Sequence, residues 1–138
     1  LRPAHLEGKS LEQGVTELLQ ELQAKHPLQM TWSIATMPDL PKGIEDHLFR
    51  ILQEALSNAL RHAKAQQIEV KLSVIRNNIR LKVTDDGVGF TEEEQQKTSS
   101  YGMELMRERV AEIGGVLNVL SAPDKGTMIE VIVPLVTR

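Results

Sequence analysis

Between Pro41 and Ala65 the polar residues Asp46, Arg50, Gln53, Ser57, Arg61 and Lys64 recur at spacings of four, three, four, four and three. That rhythm draws one solvent stripe along a helix and leaves its other faces to be covered. The apolar residues Ile44, Leu48, Phe49, Ile51, Leu52, Ala55, Leu56, Ala59, Leu60 and Ala63 fill those faces. Three residues break the pattern. Glu54, Asn58 and His62 follow one another at i, i+4 and i+8, a polar ridge on a side expected to be largely covered. Burying a carboxylate and an amide without partners costs several kcal/mol, so the ridge calls for a ligand that uses it.

The rest of the chain supplies the layers around this helix. Ser10 ahead of Leu11, Val15, Leu18, Leu19 and Leu22 reads as the N-cap of an amphipathic helix that ends before Pro27. Leu28 to Thr36 reads as a first strand, and Pro41 suits the first turn of the long helix. Ile68–Val74 and Ile79–Thr84 alternate apolar and polar residues, with Asn77-Asn78 as the turn of a hairpin. Thr91 to Ser100 is polar and without period, a flexible loop; Met103 to Ile113 is a helix stopped by Gly114-Gly115. Val116–Ser121 and Thr127–Val133 are two further strands.

With 138 residues, 41% of them hydrophobic, the chain is expected to form one domain spanning residues 1–138 around a sizeable core. Aromatics make up only 3%, so that core rests on Leu, Ile, Val, Ala and Met. A net charge of -3 and the lack of a basic stripe with interleaved aromatics argue against a nucleic-acid partner. Absence of cysteine rules out disulfide scaffolds and thiolate chemistry. No apolar run approaches the roughly 20 residues that span a bilayer. A start at Leu1 rather than Met leads us to expect a piece of a larger protein.

Chemistry concentrates in four places. Asp85-Asp86-Gly87-Val88-Gly89-Phe90 ends the hairpin's second strand. A carboxylate fixed there can accept from an exocyclic amine, while Gly87 and Gly89 let backbone approach a ligand. Ile51, Val88, Met103 and Leu105 are candidate apolar walls. Taken alone, Asp-Asp-Gly reads equally as a plain turn. It is no EF-hand, because the twelfth position from Asp85 is Gln96. Asn58 can lend a carbonyl oxygen to magnesium, and Glu54, one turn earlier, can accept from a metal-bound water or act as a general base. His62 reads equally as a phosphate contact and as a satisfied edge histidine. Tyr101-Gly102-Met103 opens a helix whose free amides suit a phosphate. Arg107 and Arg109 lie two apart and cannot both face one ligand. Gly126-Thr127 alone is a turn leading into a strand.

Competing motifs are missing from the sequence: there is no P-loop, dinucleotide fingerprint, protein-kinase set of the eukaryotic type, H-E-x-x-H or G-x-S-x-G. The order of those present is informative. Gln53-Glu54-Ala55-Leu56-Ser57-Asn58-Ala59-Leu60-Arg61-His62-Ala63 resembles the N box of bacterial sensor histidine kinases, and Asp85 to Phe90 resembles their G1 box. Tyr101-Gly102-Met103-Glu104-Leu105-Met106-Arg107-Glu108-Arg109-Val110 is similar to the glycine box and following helix of the subclass that pairs with NarL-type response regulators. Gly126-Thr127 matches the last box, and Leu1-Arg2-Pro3 resembles the junction after that subclass's dimerisation helices. Leu40 to His47 is similar to the cell-envelope-stress kinases of Gram-positive bacteria. The resemblance covers essentially the whole chain.

It implies a Bergerat ATP-binding fold of the GHKL type: an α/β two-layer sandwich with a mixed, mostly antiparallel sheet and helices on one face. It further implies ATP and Mg2+ as ligands, with Asp85 on the adenine amine, Asn58 on magnesium, and Gly87, Gly89 and Gly102 facing the nucleotide. Thr127 is implied near adenine and Thr91 to Ser100 as a lid. Asp86 stands where Asn is common, Met103 where Leu is usual, and Leu105 where a glycine often precedes the methionine. The acceptor histidine of the subclass is normally followed by an acid. His5, His26, His47 and His62 precede Leu6, Pro27, Leu48 and Ala63, so none fits. The expected protein is therefore the ATP-holding, cytoplasmic part of a membrane-anchored, homodimeric sensor kinase, itself a monomer without its acceptor. Its implied partners are its own dimerisation helices and a NarL/LuxR-type response regulator. The alternatives are a related ATPase or anti-sigma-factor kinase, and a non-catalytic nucleotide-sensing module.

Overall fold

A computed structural model describes residues 2–62, 64–88 and 100–135, with the side chains of residues 62 and 100–102 outside that description. A short 3-10 turn, Ala4–Leu6, leads into helix α1, Leu11–Lys25. Ser10 caps α1 as its sequence predicts: its hydroxyl accepts from the Gln13 amide, and the Gln13 side chain reaches back to the Ser10 amide. Strand β1, Gln29–Ile34, follows, then helix α2, Lys42–His62, and the hairpin β2, Gln67–Ile75, and β3, Asn78–Asp85. Helix α3, Ser100–Glu112, and strands β4, Val116–Ser121, and β5, Thr127–Pro134, complete the order.

The strands form one sheet in the order β1-β2-β3-β5-β4. β1 and β2 run parallel, as a crossover through α2 demands, and every other neighbour is antiparallel. Alternation decides which face is covered. Ile68, Val70 and Leu72 of β2, Ile79, Leu81 and Val83 of β3, and Ile129, Val131 and Val133 of β5 are all buried against the helical layer. From that layer Leu48, Phe49, Ile51, Leu52, Leu56 and Met106 pack down with almost no exposure. Each such side chain contributes roughly 1.5–3 kcal/mol by burial. The fold is thus the two-layer sandwich, helices on one face, that the resemblance implies.

Two local readings change. The hairpin turn is Arg76-Asn77, not Asn77-Asn78: both have positive φ, 50° and 64°, and Ile75 pairs with Asn78. That is the type I′ geometry, which matches strand twist. The long helix begins at Lys42, with Pro41 just outside it accepting from the Ile44 and Glu45 amides.

The solvent stripe of α2 also needs correction. Asp46, Arg50, Gln53 and Ser57 are only half-exposed, the same class as Glu54 and Asn58 on the supposed covered ridge. Arg2 reaches across to Glu45 and Asp46 at 3.2 and 2.8 Å, which covers the first turns of α2. Gln53 and Ser57 line clefts on both flanks, one toward α1 and one toward α3. His47 Nε2, 3.0 Å from Glu112, ties the start of α2 to the end of α3.

Candidate functional site

Successive rows across the covered face of the sheet read Val70–Val83–Ile129–Val119 and Leu72–Leu81–Val131–Leu117. The row at one end of the sheet reads Ile68–Asp85–Thr127–Ser121. An apolar face therefore turns polar at that end. Asp85 and Thr127 are the two buried polar residues found among the described residues, 8% and 7% exposed.

Asp85 Oδ1 accepts from the Gly87 amide at 2.8 Å. Its carboxyl is raised above the ordinary aspartate range, chiefly because burial disfavours its charge; amides of Gly87 and Thr127 pull the other way, and the neighbouring Asp86 adds to the rise. Gly126 packs directly on this residue: a Cβ there would sit 2.1 Å from the Asp85 carbonyl oxygen, and its φ is +77°. The Asp124 amide donates to the Val88 carbonyl at 2.6 Å, so the β4–β5 turn and the loop after β3 close on each other. Thr127 Oγ1 lies 2.8 Å from Ser121 Oγ.

The helical layer holds the other half. Asn58 Nδ2 is directed at Met103 Sδ, 3.9 Å away, which joins two sequence-predicted residues from α2 and α3. Its carbonyl oxygen, the harder donor, is the atom left to a hard cation. Glu54 lines a cleft of about 290 Å3 between α2 and α3 with Arg50, Ile51, Leu105 and Arg109. Arg109 faces this cleft while Arg107 is exposed, so the two arginines do diverge. Ile51 and Leu105 thus line the α2–α3 cleft, and Val88 is 41% exposed. Gly102 lies in the first turn of α3, which starts at Ser100 rather than after it. Gly89, the side chain of His62 and the lid segment up to residue 99 lie outside the described residues.

Two residues gain roles that the sequence does not mark. Ser121 reads in the sequence only as the end of a strand. Asp86 reads as a departure from Asn; it is exposed, yet its Oδ1 accepts from the Gln66 and Gln67 amides, both at 2.9 Å, and pins the loop into β2. Asp86→Ala frees both amides and is expected to cost about 1–2 kcal/mol in denaturant unfolding. Stability equal to wild type would show that the loop needs no such anchor.

Residues 43–137 match the family described as histidine kinase-, DNA gyrase B-, and HSP90-like ATPase. The chain belongs to this family. The sensor histidine kinase LiaS of Bacillus subtilis is 53% identical over 135 residues, a stretch that covers 98% of this chain and 37% of LiaS. The sensor protein VraS of Staphylococcus epidermidis is 45% identical over 135 residues, covering 98% of this chain and 38% of VraS. The chain thus spans under two fifths of the length of these relatives. The histidine kinase domain of the Erythrobacter litoralis EL346 blue-light activated histidine kinase superposes with a TM-score of 0.80 at 23% identity, over 91% of this chain and 61% of that one. This shares the fold. The domain is accordingly an ATPase domain of the histidine-kinase kind, and ATP is its family's ligand. Among its described residues no helix is long and apolar enough to cross a membrane.

Proposed function

We propose that this chain is a single catalytic domain that binds ATP with Mg2+ and donates the γ-phosphoryl group to a histidine on the dimerisation helices of a two-component sensor kinase. The buried carboxylate of Asp85, held beside Thr127 under Gly126, is the observation that carries this reading. Asp85 accepts from the adenine amine, with Thr127 beside it. The resemblance assigns Gly87, Gly89 and Gly102 to the nucleotide-facing backbone, and Met103 is assigned to the wall of the site. We assign His62 to phosphate binding, and Glu54 to service as the base or as the holder of a water.

Asn58 fits magnesium because its nitrogen is occupied by the Met103 sulfur, leaving an oxygen donor. Among the described residues no group of three or more His, Asp or Glu is arranged to hold a cation. Phosphate oxygens and a single amide oxygen are a donor set that magnesium accepts. When bound, it neutralises phosphate charge; the chain's own contribution is positioning. The response regulator is of the NarL/LuxR type, as the subclass resemblance implies. The parent is a membrane-anchored homodimer with this domain in the cytoplasm, and the isolated domain is a monomer.

The test supplies the upstream helices. Incubation of this domain with γ-labelled ATP and those helices is expected to place label on a histidine. Tight nucleotide binding with no transfer would instead support a nucleotide-sensing module. Asn58→Asp is expected to keep ADP binding while changing its magnesium dependence in calorimetric titration. An unaltered metal response would remove Asn58 as the ligand.

A further inference from the structure

We infer that Ser121 is a positioning residue that fixes the direction of the Thr127 hydroxyl proton and so sets the site's preference for a 6-amino over a 6-oxo purine. This rests on the reading of Asp85 and Thr127 as the base-recognition end of the pocket. Ser121 is the last residue of the polar row and has one hydroxyl proton. Ser121 Oγ donates to the Gly126 carbonyl at 3.3 Å. Both of its contacts can be hydrogen bonds at once only if it accepts in the 2.8 Å contact with Thr127, which makes Thr127 the donor.

The consequence is a polarity. With its proton turned to Ser121, Thr127 offers only lone pairs to a ligand. Asp85, ionised, is likewise acceptor-only, with Oδ1 already receiving the Gly87 amide. The end of the pocket is then lined by acceptors. An exocyclic amine, with two N–H groups, satisfies them; a 6-oxo group sets lone pair against lone pair. The turn that carries this arrangement is rigid, because Gly126 is packed on Asp85 and Ser121 pairs with Thr127 across β4 and β5. Ser121 thus acts through Thr127.

The chain is titrated calorimetrically with Mg·ADP and Mg·IDP, which share sugar and phosphates and differ at the purine 6-position and N1. Wild type is expected to prefer ADP. Ser121→Ala lets the Thr127 hydroxyl rotate and donate, so the ADP-over-IDP preference is expected to fall about tenfold, the worth of one hydrogen bond. Ser121→Thr keeps the hydroxyl and is expected to restore it. Ser121→Cys, a weak donor of similar size, should behave as Ser121→Ala and covers the case in which the alanine variant fails to fold. If the non-hydroxyl variants weaken both nucleotides equally, Ser121 only packs, and the inference fails. A preference lost but not restored by Ser121→Thr overturns it too. Asp85→Asn separates the levels: if that variant keeps the wild-type preference, the base-recognition reading itself is wrong, whatever Ser121 does.

Discussion

Gly126→Ala is expected to destabilise the domain by about 4 kcal/mol and to abolish nucleotide binding. Two costs add. The residue has φ +77°, where an L side chain is strained by about 1–2 kcal/mol. Its Cβ would also stand 2.1 Å from the Asp85 carbonyl oxygen and 3.1 Å from the Asp86 Cα, both backbone atoms that cannot rotate away. Relief requires the β4–β5 turn to lift from β3, which carries Thr127 away from Asp85. Gly114 is the control. It has φ +68° with nothing within 4 Å of the added methyl, so Gly114→Ala is expected to cost only about 1 kcal/mol. Urea unfolding of the two variants separates backbone strain from collision. Equal losses would mean the turn yields freely and that Gly126 does not set the site.

Much of this fold is legible because period and burial agree. The alternation in Ile68–Val74 and Ile79–Thr84 foretells both strands, and the observed burial follows it at every apolar position but Val74, which is exposed near the hairpin end of β2. The Ser10 cap is legible because its partners are local in sequence. What local pattern misses is covering by distant elements. Asp46 and Arg50 sit on a clean polar stripe, yet Arg2, far away in sequence, closes over Asp46, and Arg50 lines the cleft between α2 and α3. Glu54 and Asn58 are consequently no more buried than Asp46, Arg50, Gln53 and Ser57 of the stripe, whereas Arg61 and Lys64 are exposed; a ligand there is favoured by the Asn58–Met103 contact instead. The turn at Arg76-Asn77 escaped because an Asn-Asn pair attracts the reading, whereas cross-strand register decides it.

The site shows the same division. Asp85 and Thr127 are named by their motifs, although each motif alone is an ordinary turn. Only β3–β5 pairing puts them in one row, and only β4–β5 pairing adds Ser121, which no motif marks. Asp86 carries no local sign of its task, because the amides it holds lie nineteen and twenty residues upstream. The half-site contributed by α2 and α3 depends on helix packing, which single-chain periodicity does not encode.

Asp85→Asn is expected to lower ADP affinity about 100-fold while leaving the ligand-free domain at least as stable as wild type near neutral pH. The first effect follows from removing a charged acceptor and presenting a donor to the purine amine. The second follows from the raised pKa of Asp85, whose main cause is burial of its charge. A group whose folded pKa is raised contributes stability that is complete below its unfolded value, ordinarily 3.8, and is lost as pH rises through the folded value. Above that window the ionised carboxylate works against the empty fold, held there by its amide partners for the sake of the ligand. Acidification through the window should therefore weaken ADP binding to wild type, while the stability of wild type gains on that of Asp85→Asn. Thermal unfolding and calorimetry across pH 4 to 7, approximate bounds set by the ordinary carboxylate range, read both trends. A variant that binds ADP like wild type would remove Asp85 from the site. One that loses binding and also stability at neutral pH would mean the carboxylate serves the fold first, with recognition following from a rigid turn rather than from its charge.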